Sequence, residues 1–415
     1  MNEHFCPNPF IYLTNSNEGK VKFCCLVHRG IVDNNNIPYK SDSANIKDVW
    51  NSNDLNNIRQ QMVDGKALAE CQVCYNLEKN GGGSLRKDLV SQWQHNEKFK
   101  KSYEDFKNKQ SMAGPVSVEV RTGNICNLKC RMCYPTASVL IDKEYRKFER
   151  KNIQWKKINS DPGSSDVIND PYFLEVIKNF EHIDTLRFSG GEPFLNDSTN
   201  DLIAEAASSG HSKHIELFVN TNFTRITDKL LEDLSTFKTV NIDISLDGYK
   251  HVHEYIRSGL QWNTIEDNLE KIKPYLNKNF YLTTNTTVQN LNVLYLEDIL
   301  KWTIQDLNIT PVFFVLDTPS FLSVKNMPGD MKVEATRRIQ ALVDSDLVKR
   351  FKHPAWLTGR LTSIMEAMNT PANDYEINRF LYFTSITDAE RDQDYRTSIP
   401  ELASFYQPFY PIKDF

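Results

Sequence analysis

The chain has 415 residues, 40% of them hydrophobic, with a formal net charge of -5 and a pI near 6.0. That length suits two or three domains with a substantial buried core, and the charge shows no nucleic-acid footprint in the bulk balance, so only a local basic groove would serve that role. No run of about 20 apolar residues is present, so no spanning helix and no membrane partner are expected.

The first ten residues, MNEHFCPNPF, lack a charged-then-apolar leader, so no secretion signal and a cytoplasmic location are expected. All eight cysteines lie in the first third of the chain. Crowding of that kind argues for metal or redox work rather than a disulfide framework.

Five of the eight, Cys6, Cys24, Cys25, Cys71 and Cys74, fall in residues 1–111. The stretch YLTNSNEGKVKFCC reads as a β-hairpin, with apolar Ile11 and Leu13 before a polar turn ending at Gly19, and Val21 and Phe23 after it. Residues 43–66 read as one helix, with Ile46, Val49, Trp50, Leu55, Ile58 and Met62 near helical spacing. Cys71 and Cys74 form a C-x2-C pair. Thiolates of Cys6, Cys24, Cys71 and Cys74 would complete either a zinc site or an iron–sulfur cluster, and spacing alone does not separate the two. Cys25 is left over: a small half-buried hydrophobe, a substitute ligand, or a thiol facing an active site in a catalytic role. Gly81, Gly82, Gly83 and Ser84 read as a hinge, and residues 86–112 as a charged, helical connector.

From about residue 112 to residue 320, strand-like runs at 116–120, 185–188, 215–220, 240–246, 281–288 and 312–316 alternate with helical stretches. Six β/α units imply an α/β fold with a parallel sheet and crossover helices, arranged as an open barrel. Functional groups in such folds gather at the C-terminal ends of the strands. Directly after the first strand comes TGNICNLKCRMCYPTAS, in which Cys126, Cys130 and Cys133 are spaced C-x3-C-x2-C. Three thiolates this close can hold three corners of a cubane cluster and leave the fourth iron open for chemistry. A zinc knuckle is the alternative, but it wants four ligands, and no His or fourth Cys lies near this loop. The second strand ends in SGGEP, where Gly190 and Gly191 permit close backbone approach, Glu192 can accept from an ammonium group, and Pro193 fixes the turn. Asn220, Thr221 and Asn222 end the third strand and Ser245 and Asp247 the fourth, followed by Arg257, which can pair a carboxylate. Together they suggest one ligand bearing amine, carboxylate and ribose groups.

CNLKCRMC, SGGEP, NTN, ISLDG and YIRSG, in that order over residues 116–316, resemble the radical S-adenosylmethionine superfamily. The resemblance implies a partial (β/α)6 TIM barrel whose Cys126, Cys130 and Cys133 hold a [4Fe–4S] cluster, with S-adenosylmethionine chelating the open iron. It further implies that Gly190, Gly191, Glu192 and Pro193 bind the amine, Arg257 the carboxylate, and Ser245, Asn220 and Asn222 the ribose. The residue before the third cysteine, often aromatic in that family, is Met132 here, and Tyr134 follows. C-x12-G-x4-C, then a helix with VWNS, then C-x2-C resembles the SPASM/twitch auxiliary-cluster modules, which usually follow the barrel rather than precede it. On that likeness Cys6, Cys24, Cys71 and Cys74 would hold a second, auxiliary [4Fe–4S] cluster.

Residues 321–415 read as a helical C-terminal cap, including 333–347 and 361–368. In the charged, aromatic stretch 383–402, Asp388, Arg391, Asp394 and Arg396 are candidate substrate contacts, and the tail YQPFYPIKDF is expected to lie on the surface. The resemblance implies reductive cleavage of S-adenosylmethionine to a 5′-deoxyadenosyl radical that abstracts a substrate hydrogen atom, with flavodoxin or ferredoxin as electron donor. By family analogy the substrate is a peptide or protein residue. Oxidation or epimerisation of a small molecule, such as a sugar or amino-sugar alcohol, is the alternative. A binding protein carrying structural zinc is the reading from a different class.

Overall fold

The computed structural model of the protein describes residues 2–16, 18–79, 83–110, 112–150, 171–276 and 278–409. Gly81 and Gly82 of the expected hinge, and the end of the tail, residues 410–415, lie outside the described residues.

Ten strands are present among the described residues: β1 (Tyr12–Asn15), β2 (Val21–Lys22), β3 (Ser117–Arg121), β4 (Lys129–Cys130), β5 (Thr185–Ser189), β6 (Glu216–Thr221), β7 (Thr239–Ser245), β8 (Arg257–Ser258), β9 (Phe280–Val288) and β10 (Thr310–Val315). Eight form one sheet in the order β10-β9-β7-β6-β5-β3-β1-β2, and β4 pairs with β8 separately. Every neighbour in the large sheet is parallel except the β1–β2 hairpin. The fold is therefore α/β with a mostly parallel sheet, and the six strands expected between residues 112 and 320 all occur, in sequential order.

The hairpin forms as its residues dictate. Gly19 takes φ +78 at the turn, a conformation without cost only for glycine. What periodicity did not show is that β1 joins the central sheet, with Tyr12 to Thr14 paired in parallel with Ser117 to Glu119. The expected helix over 43–66 is two, Ile46–Trp50 and Asn53–Val63. Asn45 caps the first, and the Ser52 hydroxyl accepts from the Leu55 N–H to start the second. The six apolar residues that suggested one helix are all buried, because both pieces pack on the same core.

Burial alternates along the sheet with the pleat. Leu186, Phe188, Leu217, Val219, Val240, Ile242 and Ile244 face a core shared with Leu202, Ile203, Leu231, Leu234, Ile265 and Leu269 of the crossover helices. The other face, with Arg187, Phe218, Asn220, Asn241, Asp243, Ser245 and Tyr281, is half-buried or exposed. Parallel sheets are usually covered on both faces, so this open face is a distinguishing feature.

Residues beyond 320 are helical, chiefly Gly329–Val343, Pro354–Met368 and Asp374–Arg391. The last helix stops at Asp392 in the left-handed region, and two short helices, Tyr395–Ser398 and Pro400–Tyr406, complete the segment. No helix among the described residues is long and apolar enough to cross a membrane.

Candidate active site

The three-cysteine loop leaves the C-terminal end of β3 and is pinned by backbone bonds on two sides. On one side the SGGEP turn of β5 docks against it: Ser189 O accepts from Thr122 N (2.8 Å), Gly191 N donates to Gly123 O (2.8 Å), and Glu192 N donates to Ile125 O (2.7 Å). This needs glycine. A Cβ on Gly191 would stand 2.3 Å from Ile125 O, and one on Gly190, at φ +121, would stand 2.8 Å from Thr122 N. On the other side, β4 of the loop pairs with β8, setting Cys130 opposite Arg257.

Two N–H groups reach the sulfurs. Asn222 Nδ2 lies 3.9 Å from Cys126 Sγ, and Arg257 Nη1 lies 3.7 Å from Cys130 Sγ. Donors of this kind around sulfur are a recurring feature of iron–sulfur sites. Burial raises the pKa of all three thiols, that of Cys133 to about 12. They would release their protons on ligation rather than stand as free thiolates. A loop held by close glycine contacts, thiol-directed donors, and three thiols within electrostatic reach of one another fit a cluster held by three protein ligands.

The remaining expected site residues are placed as follows. Glu192 is fully buried, and its carboxylate accepts from Thr221 Oγ1 (2.6 Å), Asn222 N (2.6 Å) and Phe194 N (3.2 Å). It ties the end of β6 to the turn after β5, and burial pushes its pKa up to about 7. Pro193 opens the buried turn Pro193–Leu195. Asn222 faces the cysteine loop, donating also to Asn127 Oδ1 (2.9 Å). Asn220 is exposed and Ser245 half-buried at neighbouring strand ends on the open face. The carboxylate that Arg257 meets is Asp247, 2.7 Å away and fully buried. Asp247 also accepts from Thr287 N (2.7 Å), so one acid braces β9 and the cysteine loop together.

Sequence reasoning missed Arg131, inside the cysteine loop. It is fully buried, its guanidinium 3.7 Å from the centre of the Tyr255 ring. It donates to Tyr255 O (3.1 Å), Thr387 Oγ1 (2.8 Å) and Gln393 Oε1 (3.1 Å), and pairs with Asp388. Arg391 of the same helix pairs with Glu144 (2.6 Å) and donates to Lys129 O (2.8 Å). Asp388 and Arg391, expected as substrate contacts, therefore anchor the C-terminal helix to the cysteine loop. Asp394 caps Tyr395–Ser398 and pairs with Arg396 (2.8 Å). The sequence signal was an arginine between two ligand-spaced cysteines, but its partners lie more than 120 residues away.

In the N-terminal segment Cys6, Cys24, Cys71 and Cys74 line one small, mostly apolar space with Arg86, Met62 and Phe23. Burial raises the pKa of Cys6 to about 12 and that of Cys71 to about 11, and neighbouring thiols add to both. Cys25 is outside that lining. It hydrogen-bonds to Cys24, which pulls Cys24 down and Cys25 up, and it lies within electrostatic reach of Glu119 and Arg121. Among the described residues no three Cys, His, Asp or Glu gather closely enough to hold a single metal ion.

Comparison with known proteins agrees with the loop and its surroundings. Residues 120–303 match the Radical SAM superfamily. The chain is 23% identical over 215 residues to a radical SAM cyclopropyl synthase, TigE, of Paramaledivibacter caminithermalis, covering 51% of this chain and 43% of that protein. It is 24% identical over 172 residues to a GTP 3′,8-cyclase of Helicobacter pylori, covering 41% and 46%. The chain thus spans about half the length of the curated relatives it matches. Among solved structures, anSMEcpe with bound AdoMet aligns at TM-score 0.36 and 19% identity, covering 59% of this chain and 62% of that one. Streptococcus suis SuiB bound to precursor peptide SuiA aligns at TM-score 0.34 and 12% identity, covering 94% and 75%. Those alignments are loose, and the assignment rests on the superfamily match. What the comparisons show is a likeness of residues 120–303 to the Radical SAM superfamily.

Proposed function

We propose that this protein is a radical SAM enzyme in which Cys126, Cys130 and Cys133 hold a [4Fe–4S] cluster and Cys6, Cys24, Cys71 and Cys74 an auxiliary one. The observation that carries the reading is the three-cysteine loop itself, clamped between the SGGEP turn and Arg257, with N–H donors aimed at two of its sulfurs. When bound, the first cluster supplies the electron that cleaves S-adenosylmethionine to methionine and a 5′-deoxyadenosyl radical, which takes a hydrogen atom from the substrate.

The chain's own residues hold and orient. Gly190 and Gly191 let the SGGEP turn close on the cysteine loop, setting its backbone beside the place the methionyl end of S-adenosylmethionine would take. Glu192 acts from below, fixing Asn222 and the end of β6. Arg257, braced by Asp247, places a positive charge beside Cys130, where a ligand carboxylate would sit. Ser245 and Asn220 offer polar groups to a ribose across neighbouring strand ends. A partial barrel is the arrangement this reading expects of the sequential parallel strands.

The substrate is a peptide or protein residue, supported by the likeness of residues 1–111 to auxiliary-cluster modules. The likeness to a GTP 3′,8-cyclase favours the second reading, a small-molecule substrate. Anaerobic reconstitution tests the cofactor assignment. Absorbance near about 400 nm with about eight irons per chain is expected for two cubanes. Zinc without iron would overturn it.

A further inference from the structure

The open face of the sheet carries a row of side chains that the proposed cofactors do not use. Register sets Arg187, Phe218, Asn241 and Tyr281 opposite one another on β5, β6, β7 and β9. Arg187 lies two residues before Ser189, and Asn241 four before Ser245, so the row is at least about 7 Å short of the strand ends.

Arg187 is unusual there. It is half-buried, and among the described residues its guanidinium has no hydrogen bond or ion pair. It lies 3.8 Å from the centre of the Phe218 ring. Both nearby acids are engaged elsewhere. Glu119, its cross-strand partner, accepts from Tyr12 and from Ser189 Oγ (2.6 Å), and Arg121 Nε is 3.4 Å from it. Asp243 accepts from Thr283; burial raises its pKa, while that hydrogen bond and the Arg187 charge pull it down. Arg121, on the same face, has its Nε buried without a hydrogen bond. Arg121 is thus ion-paired with Glu119, whereas Arg187 has only the longer-range charge of Asp243 and no direct hydrogen bond to it. A half-desolvated guanidinium with its N–H groups unmet is costly, and one held flat on a ring is ready for bidentate contact with a carboxylate.

The far side of the same face is aromatic. Tyr281, at the end of the row, is 53% exposed, as is Phe314 about 20 Å further along the strands, opposite Thr287; such exposure is unusual for large side chains on a parallel strand. Three strand spacings separate Arg187 from Tyr281, about 14 Å. That span exceeds a single amino acid and matches about four steps of extended chain, so side chains at i and i+4, which share a face, would reach both.

We propose that this face binds a peptide segment, with an acidic side chain on Arg187 and an aromatic or apolar side chain on Tyr281. The proposal deepens the peptide reading above, and its test is independent of the cofactors. The probes are two capped peptides, Ac-Glu-Ala-Ala-Ala-Phe-NH2 and Ac-Gln-Ala-Ala-Ala-Phe-NH2, with Ac-Gln-Ala-Ala-Ala-Phe-OH as a third, titrated against the full chain by ligand-observed NMR. The Glu peptide should bind about tenfold more tightly than the Gln peptide. Arg187→Gln should erase that ratio, and Arg187→Lys, which keeps charge but loses the fork, should restore only part of it. A thermal melt for each variant identifies loss of fold, and the lysine variant then carries the comparison. Equal binding of the Glu and Gln peptides, discrimination surviving Arg187→Gln, or preference for the free C-terminal carboxylate alone would overturn the assignment. Iron content reads the cofactor proposal separately: an iron-free chain that still discriminates leaves this site standing, and an iron-loaded chain that does not removes only the site.

Discussion

At Gly191 one loop backbone meets another at a distance that admits no side chain, since a Cβ would stand 2.3 Å from Ile125 O. Gly191→Ala should therefore push the SGGEP turn off the cysteine loop, at a cost of about 1–3 kcal/mol. Reconstituted iron should fall by about four atoms per chain while the auxiliary site keeps its own. Gly359, inside helix Pro354–Met368 with nothing within 4 Å of its added Cβ, is the contrast. Gly359→Ala should raise stability by about 0.5–1 kcal/mol in urea unfolding. Glu192 makes a pH prediction. Its folded pKa, about 7, lies above the ordinary glutamate value of 4.5 because of burial. The native state therefore keeps a proton that the unfolded state releases, so stability falls as pH rises from about 4.5 to about 7, by about 3 kcal/mol in the apo protein. Urea midpoints at several pH values should show this decline, and Glu192→Gln should flatten it by one proton. The sequence made Glu192 a candidate for binding an amine. It could not show that Thr221 and Asn222, on the next strand, already occupy its carboxylate.

Helix Asp374–Arg391 and the cysteine loop are joined by a buried charge. Arg131 is wholly enclosed, and Asp388 is its charged partner, so removing the acid leaves a guanidinium unmatched in the interior. Asp388→Ala should destabilise the apo chain by about 3–5 kcal/mol, read from the urea midpoint. Replacing both groups, Arg131→Met with Asp388→Leu, should recover much of that loss, because an apolar pair no longer pays for desolvation. A double variant as unstable as the single one would show that the helix is held by something else. Elements of this kind were only partly legible. Apolar spacing located the helices, but Asp388 and Arg391 looked like substrate contacts because their partners, Arg131 and Glu144, are 257 and 247 positions away. The split between Ile46–Trp50 and Asn53–Val63 is a cap effect: Ser52 offers its hydroxyl to the Leu55 N–H and restarts the helix, which a count of apolar positions cannot see.

Over the whole molecule, the six-strand repeat was legible because each strand alternates with the pleat and each is followed by an amphipathic helix. The union of residues 1–111 with the sheet was not. A four-residue strand, Tyr12–Asn15, carries no signal of its partner, and only the structure shows it adding to β3, with Asn15 hydrogen-bonded to Arg121 in both directions. That junction brings the Cys25 end of the hairpin near Glu119 and Arg121 on the open face. The cysteine space of the N-terminal segment and the three-cysteine loop therefore belong to one continuous sheet. The most direct test of the central reading replaces Cys126, Cys130 and Cys133 together with Ala and measures 5′-deoxyadenosine formed from S-adenosylmethionine under reducing, anaerobic conditions, alongside iron content. The account predicts loss of 5′-deoxyadenosine and of about four irons, with about four retained by the N-terminal segment. Undiminished 5′-deoxyadenosine formation in that variant would contradict it.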